Sequence, residues 1–254
     1  MIRWKKKNRV HSSIGEDSRR LLSEHTPFAV KEAFRSLYTN LLYLPTEGRC
    51  KKFAVASSYS GEGKTYISIN LARTIAISSV ESKVLLVDSD MRRPRLGEIL
   101  KIGKTHGLSE YLASIDDYPQ FNDTEFPNLK VLSSGAETIN AMGLLTSSRM
   151  KSLIEILENE FDYVIFDTPP VNVVADALLL NDFIDGYIIS TRADYSDVNS
   201  INDTLEAMEK INAHVLGFVL SAYDAKKSGA YGRYKYGSNG KYGKYSKYSR
   251  YSSY

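Results

Sequence analysis

Cysteine is almost absent from this sequence: Cys50 is the single one in 254 residues. No intrachain disulfide can form, and a reducing compartment is the expected setting. Histidine is nearly as scarce. His11, His25, His106 and His214 stand too far apart for metal-ligand spacing, so no zinc centre is expected. No apolar run approaches the roughly 20 residues that cross a bilayer. The basic opening MIRWKKKNRV lacks the apolar stretch that follows in a secretory signal, so a cytoplasmic chain is expected. Acidic residues are missing altogether from the last 24 positions.

Those last positions hold tyrosine instead: Tyr231, Tyr234, Tyr236, Tyr242, Tyr245, Tyr248, Tyr251 and Tyr254, interleaved with six Lys or Arg. The segment therefore carries +6, and residues 1–230 hold 27 basic against 30 acidic side chains, a net of −3. The basic balance of the whole chain belongs to its end, and the body is mildly acidic. Three readings of such a string compete: a tail that binds nucleic acid or membrane, a low-complexity assembly segment, or a substrate for phosphorylation.

The organisation upstream is regular. Residues 1–27 are polar and end at Pro27, which suggests a flexible arm. Residues 28–44, FAVKEAFRSLYTNLLYL, place Phe28, Val30, Phe34, Leu37, Leu41, Leu42 and Leu44 near helical spacing, and Pro45 stops the run. Short β-rich runs follow at 52–58, 83–90, 129–135, 163–167, 186–192 and 214–222, with helical stretches at 64–79, 147–160 and 196–212. Continuous apolar strands alternating with helices predict an α/β fold, a mostly parallel sheet with helices on both faces. Right-handed crossovers then collect the strand C-termini on one edge. Beyond Ala222, Gly, Ser, Tyr and Lys predominate without period, the composition of a disordered tail. The division expected is an arm at 1–27, a domain at 28–225 and a tail at 226–254.

Three motifs fall on that edge. The first, SSYSGEGKT (Ser57 to Thr65), matches the phosphate-binding pattern G-x-x-x-x-G-K-[ST], with Ser58 at the first glycine. Ser60, Gly61, Glu62, Gly63, Lys64, Thr65 and Tyr66 would wrap a polyphosphate between loop amides and a helix N-terminus. Lys64 would reach the terminal phosphates and the Thr65 hydroxyl a Mg²⁺ ion. The second, LLVDSDMRRP (Leu85 to Pro94), sets Asp88 and Asp90 at a strand tip, followed by Arg92 and Arg93. One acid can serve a metal while the other accepts a proton; spacing does not rank them. In the third, YVIFDTPP (Tyr163 to Pro170), Asp167 ends an apolar strand where Mg²⁺ is commonly held through water. Arg192 closes the run GYIISTR, where it either approaches the nucleotide or is a surface arginine.

With these motifs and the tail together, the sequence resembles the bacterial tyrosine kinases, in the free-standing form that works with a separate membrane adaptor in capsule or exopolysaccharide synthesis. The resemblance implies a P-loop NTPase-like fold and transfer of the γ-phosphoryl group from ATP, with Mg²⁺, to the protein's own tail tyrosines. It implies Asp88 as the base, Lys64 as the second catalytic group, and Thr65, Asp90 and Asp167 around the metal. It also implies a homo-oligomer, a ring being one form, through a helix bearing Glu32 and Arg35; Tyr38 stands where the family motif has a second Arg. Further implied partners are the adaptor's cytoplasmic segment, at the inner face of the membrane, and a cognate tyrosine phosphatase. No nucleic-acid partner is expected. The competing reading is a ParA/MinD-like ATPase that drives assembly on a surface; those relatives usually have lysine where Tyr59 stands.

Overall fold

The computed structural model describes residues 21–46, 48–103 and 106–223. The chain divides into two units, Met1–Ser221 and Ala222–Tyr254, and of the second only Ala222 and Tyr223 are described. In chain order the elements are α1 (Phe28–Leu42), β1 (Lys51–Ser57), α2 (Lys64–Ser78), β2 (Val84–Asp88), α3 (Leu96–Leu100), α4 (Leu108–Leu112) and β3 (Asn122–Asp123). There follow β4 (Leu129–Leu132), α5 (Ala141–Leu145), α6 (Ser148–Glu160), β5 (Tyr163–Asp167), a 3-10 helix (Ala175–Phe183), β6 (Gly186–Arg192), α7 (Val198–Glu209) and β7 (Val215–Ser221).

The seven strands form one sheet in the order β3-β4-β2-β5-β1-β6-β7, parallel throughout except for the β3–β4 pair. Every residue of VLLVD in β2 and YVIFD in β5 is buried, which is why these runs are apolar without alternation. One face carries Ala54, Leu85, Val87, Val164, Phe166 and Ile189 against Leu153 and Leu157 of α6 and Met208 of α7. The other carries Phe53, Val55, Leu86, Ile165 and Ile188 against α1 and α2. Each fully buried aliphatic side chain of this kind contributes about 2 kcal/mol relative to exposure. β5 lies between β1 and β2, so the chain leaves β1, crosses over through α2, and returns later to fill the gap. The loops after β1, β2 and β5 consequently open onto one crevice.

In α1, Phe34, Tyr38 and Leu41 share a face and are buried. The rings of Phe34 and Tyr66 meet edge to face at 6.2 Å, and those of Tyr38 and Tyr163 at 6.0 Å. Position 38, where the family motif has a second Arg, thus belongs to the core of its own chain. Glu32 and Arg35 are exposed and pair with each other at 2.6 Å.

Candidate active site

Strand β1 runs out at Ser57, and after six intervening residues the chain enters α2 at Lys64. Gly61 and Gly63 have φ of 94° and 95°, the left-handed region that a side chain strongly disfavours. No side chain caps the start of α2, so its first amides remain available to an anion. Lys64 is buried at 8 % exposure, with its ammonium acting on both Asp90 and Asp167.

The two acidic strands meet this loop side by side. Asp88 and Asp167 are register partners across the β2–β5 pair, and both are buried. Asp167 accepts hydrogen bonds from the Thr65 hydroxyl and, at 3.1 Å on Oδ1, from Ser68 Oγ. The carbonyl of Asp167 accepts from Ser89 N at 2.9 Å and Ser89 Oγ at 2.6 Å, which stitches the exits of β2 and β5 together. Asp88 accepts the Asp90 amide at 3.3 Å and the Leu96 amide at 3.2 Å, one on each oxygen. Asp90 is less buried and accepts the Arg93 amide at 3.1 Å.

Burial pushes all three acids up. Asp88 is raised well above the ordinary carboxylate range, with the charges of Asp167 and Asp90 adding to the effect. Asp90 is raised by burial against the opposing pull of Lys64. Asp167 is pushed up to about 6 by burial, again opposed by Lys64. Grouped carboxylates that resist ionisation are a favourable receptor for a cation, which reverses both penalties at once.

Among the described residues no group of three His, Cys, Asp or Glu side chains converges into an all-protein metal cage. A hydroxyl and carboxylates beside a phosphate loop still fit Mg²⁺, which keeps most of its waters and takes few protein ligands. The donor set suits that ion and no softer one.

The other expected residues take varied places. Ser60 is exposed on the loop, whereas Glu62 has no exposure at all. Tyr66 packs its ring on Phe34 of α1, so its side chain is accounted for by the core. Arg192 is gripped by Asp194, with Nε to Oδ1 at 2.8 Å and Nη2 to Oδ2 at 3.2 Å, and its Nη1 donates to the Gly61 carbonyl at 3.4 Å. It therefore touches the loop. The eight tail tyrosines lie outside the described residues.

Sequence reading did not find Ser68, although its spacing of four from Lys64 was an available signal. It also did not find Asp176, whose partner is 84 positions away. Arg92 makes a fork on Asp176, Nε to Oδ2 at 2.5 Å and Nη2 to Oδ1 at 3.1 Å. Arg92 is thereby engaged within the protein; it is not left to solvent. Asp176 is 1 % exposed, so Arg92→Ala would strand a buried carboxylate. Because the Arg92 side chain is itself a third exposed, the expected loss is about 2 kcal/mol in urea unfolding, below the range for fully buried pairs. Arg92→Lys, unable to form the fork, should recover less than half of it. An unchanged urea midpoint in Arg92→Ala would show that the pair does not hold the loop.

The family of the AAA domain matches residues 50–217. Among curated proteins, tyrosine-protein kinase CpsD of Streptococcus agalactiae is 32 % identical over 208 residues, covering 80 % of this chain and 89 % of the relative. Tyrosine-protein kinase CpsD of Streptococcus pneumoniae is likewise 32 % identical over 208 residues, with 80 % and 90 % covered. Among solved structures, the chimerical protein CapA2B2 superposes with a TM-score of 0.72 at 31 % identity, covering 78 % of this chain and 86 % of the other. The kinase domain of Escherichia coli tyrosine kinase ETK gives 0.70 at 28 %, covering 76 % and 77 %. The septum site-determining protein MinD of Pyrococcus horikoshii, complexed with Mg-ADP, shares the fold at 0.54 and 23 %, covering 67 % and 70 %.

Proposed function

Because the chain belongs to the family of bacterial tyrosine-protein kinases built on the AAA domain, we propose that it transfers the γ-phosphoryl group of ATP to tyrosine hydroxyls. Its own tail, Tyr231 to Tyr254, is the acceptor, and the reaction serves capsular or exopolysaccharide synthesis. The observation that carries this reading is the convergence of Lys64, Asp88, Asp90 and Asp167 where β1, β2 and β5 end side by side.

Phosphoryl transfer asks little covalent chemistry of the protein and much positioning. The amides of residues 60–66 and the Lys64 ammonium bind the phosphates and spread the charge that develops on them. Thr65, Asp90 and Asp167 would hold Mg²⁺, which neutralises phosphate oxygens. Asp88 orients the incoming phenol and takes its proton; a phenol of pKa near ~10 gains about 10²–10⁴-fold from a positioned base. Its amide contacts to Asp90 and Leu96 fix the carboxylate's orientation.

Transfer runs between subunits, with α1 bringing neighbours together through Glu32 and Arg35. A membrane adaptor's cytoplasmic segment activates the enzyme at the inner face of the membrane, and a phosphatase resets the tail. No described helix is long and apolar enough to cross a membrane, which accords with recruitment through a partner.

The test is incubation of the full chain with Mg-ATP, with and without such a segment, followed by anti-phosphotyrosine detection. Phosphotyrosine is expected, at a rate per molecule that rises with protein concentration. The likeness to MinD favours one other reading, an assembly-driving ATPase. Phosphate release with no labelled protein under either condition would select it and end the kinase proposal.

A further inference from the structure

We propose that Glu62 and Ser196 form a positioning pair that holds the phosphate-binding loop in its working shape by tying it to the turn between β6 and α7. The proposal rests on the reading that this loop binds a nucleoside polyphosphate, and adds what keeps the loop ready to do so.

Glu62 is an odd residue for this place. A carboxylate within a loop that must receive several negative charges works against its ligand, unless it is turned away and held elsewhere. Glu62 has no exposed surface, so its side chain faces the protein. Its Oε2 accepts the Tyr59 amide at 2.8 Å, closing the turn of residues 59–62 on itself. Its Oε1 accepts the hydroxyl of Ser196, which lies 134 residues further along the chain. The same hydroxyl accepts the Arg192 amide at 2.9 Å, so Ser196 uses its single donor and one of its two acceptor positions to bridge strand end and loop.

Further bonds run in parallel. The Glu62 carbonyl accepts Ser190 Oγ of β6 at 2.6 Å, and Ser221 Oγ at the end of β7, which donates to the Thr191 carbonyl at 3.1 Å, lies 3.4 Å from it. The Gly61 carbonyl accepts Arg192 Nη1. Asp197, the next residue after Ser196, caps α7 by accepting the Ser200 amide at 3.0 Å. A continuous set of polar contacts thus leads from the loop to the first turn of α7.

The loop needs outside support. Two of its residues sit at positive φ, and glycines there carry a large entropic cost of ordering. Residues 59–61 are exposed and contribute nothing to either core. A polyphosphate binds amides that already point inward, and every bond spent on ordering the loop at that moment is lost from affinity. The Glu62–Ser196 pair supplies this order in advance, so its effect falls on nucleotide affinity. A purely structural pair would lower the unfolding midpoint and leave the affinity of the folded protein unchanged.

Calorimetric titration of the full chain with Mg-ADP, well below the unfolding temperature, separates the two. Ser196→Ala is expected to weaken the Kd about tenfold, the scale of one hydrogen bond to a charged group, and Ser196→Thr to restore it to within about threefold. Glu62→Gln should move the Kd in the same direction, and the Glu62→Gln/Ser196→Ala double variant should be no weaker than the worse single one, because both act on one contact. A Kd within twofold of the unaltered protein in Ser196→Ala, or additive losses in the double variant, would overturn the proposal. Should Ser196→Ala not fold, Glu62→Gln carries the same test, with a Kd within twofold again counting against it. If the unaltered chain itself binds no Mg-ADP, the nucleotide reading fails; if it binds and the variants bind equally, only the positioning pair does.

Discussion

Replacing Lys64 with methionine is expected to lower phosphotyrosine formation by at least about a hundredfold, the scale of losing one preorganised electrostatic contact to a reacting group. Methionine keeps the stem of the buried lysine and removes only the ammonium. The loss is therefore of charge on the phosphates and not of packing. It has a second, independent consequence. Lys64 opposes the rise in the proton affinity of Asp90 and Asp167, so its removal drives both further up. A carboxylate raised in the folded state binds more protons there than in the unfolded chain. Its stabilising effect is present at low pH and is lost as pH rises from the ordinary range of about 4 through the raised value, which for Asp167 is about 6. Without Mg²⁺, Lys64→Met should lose more stability between pH 5 and pH 8 than the unaltered protein, by urea unfolding at each pH. Equal losses would mean that the ammonium does not act on these acids, and undiminished phosphotyrosine would remove Lys64 from the mechanism.

Truncation after Lys227 is expected to abolish most of the phosphotyrosine signal while leaving Mg-ADP affinity unchanged. The tail beyond that point holds all eight clustered tyrosines and six basic side chains without an acid. Each phosphate adds about −1.5 to −2 charges at neutral pH. Full modification would thus convert a +6 segment into one of strongly negative charge, adding roughly −12 to −16. A change of this size makes the tail a reporter of its own modification: it should migrate differently by ion-exchange chromatography after incubation with Mg-ATP, in steps resolved by intact-mass measurement. If the truncated chain carries as much label per molecule as the full one, the acceptors are elsewhere, and the exposed Tyr43, Tyr59, Tyr118, Tyr195 and Tyr223 become the candidates.

Much of the fold was legible because each strand of the sheet's centre is an uninterrupted apolar run. VLLVD and YVIFD have no polar face to show, and that pattern arises only where helices cover both sides. The helices flanking them were found within a few residues, since 12 to 15 residues give periodicity room to appear. Helices α3, α4 and α5 were not seen. They are five residues long, barely one turn, and no spacing rule can accumulate over that length. The two-residue strand β3 escaped for the same reason. Tyr38, which stands where the family motif has a second Arg, lies in the core, because its neighbours at Phe34 and Leu41 put it on the buried stripe of α1.

The sequence by itself determined that a glycine-bearing loop, a lysine and three acids each follow a strand, and that a tyrosine-rich basic string lies at the chain's end. These are local matters, settled by which residue comes next after an apolar run. The tertiary structure decided which of them meet. Asp88 reaches Asp167 only because β5 slots between β1 and β2. Arg92 finds Asp176 and Glu62 finds Ser196 across 84 and 134 positions, and nothing in spacing foretells which strand ends become neighbours. That choice belongs to the packing of whole helices and strands into two cores, where the summed burial of many side chains fixes the order of the sheet and brings the polar partners together as a consequence.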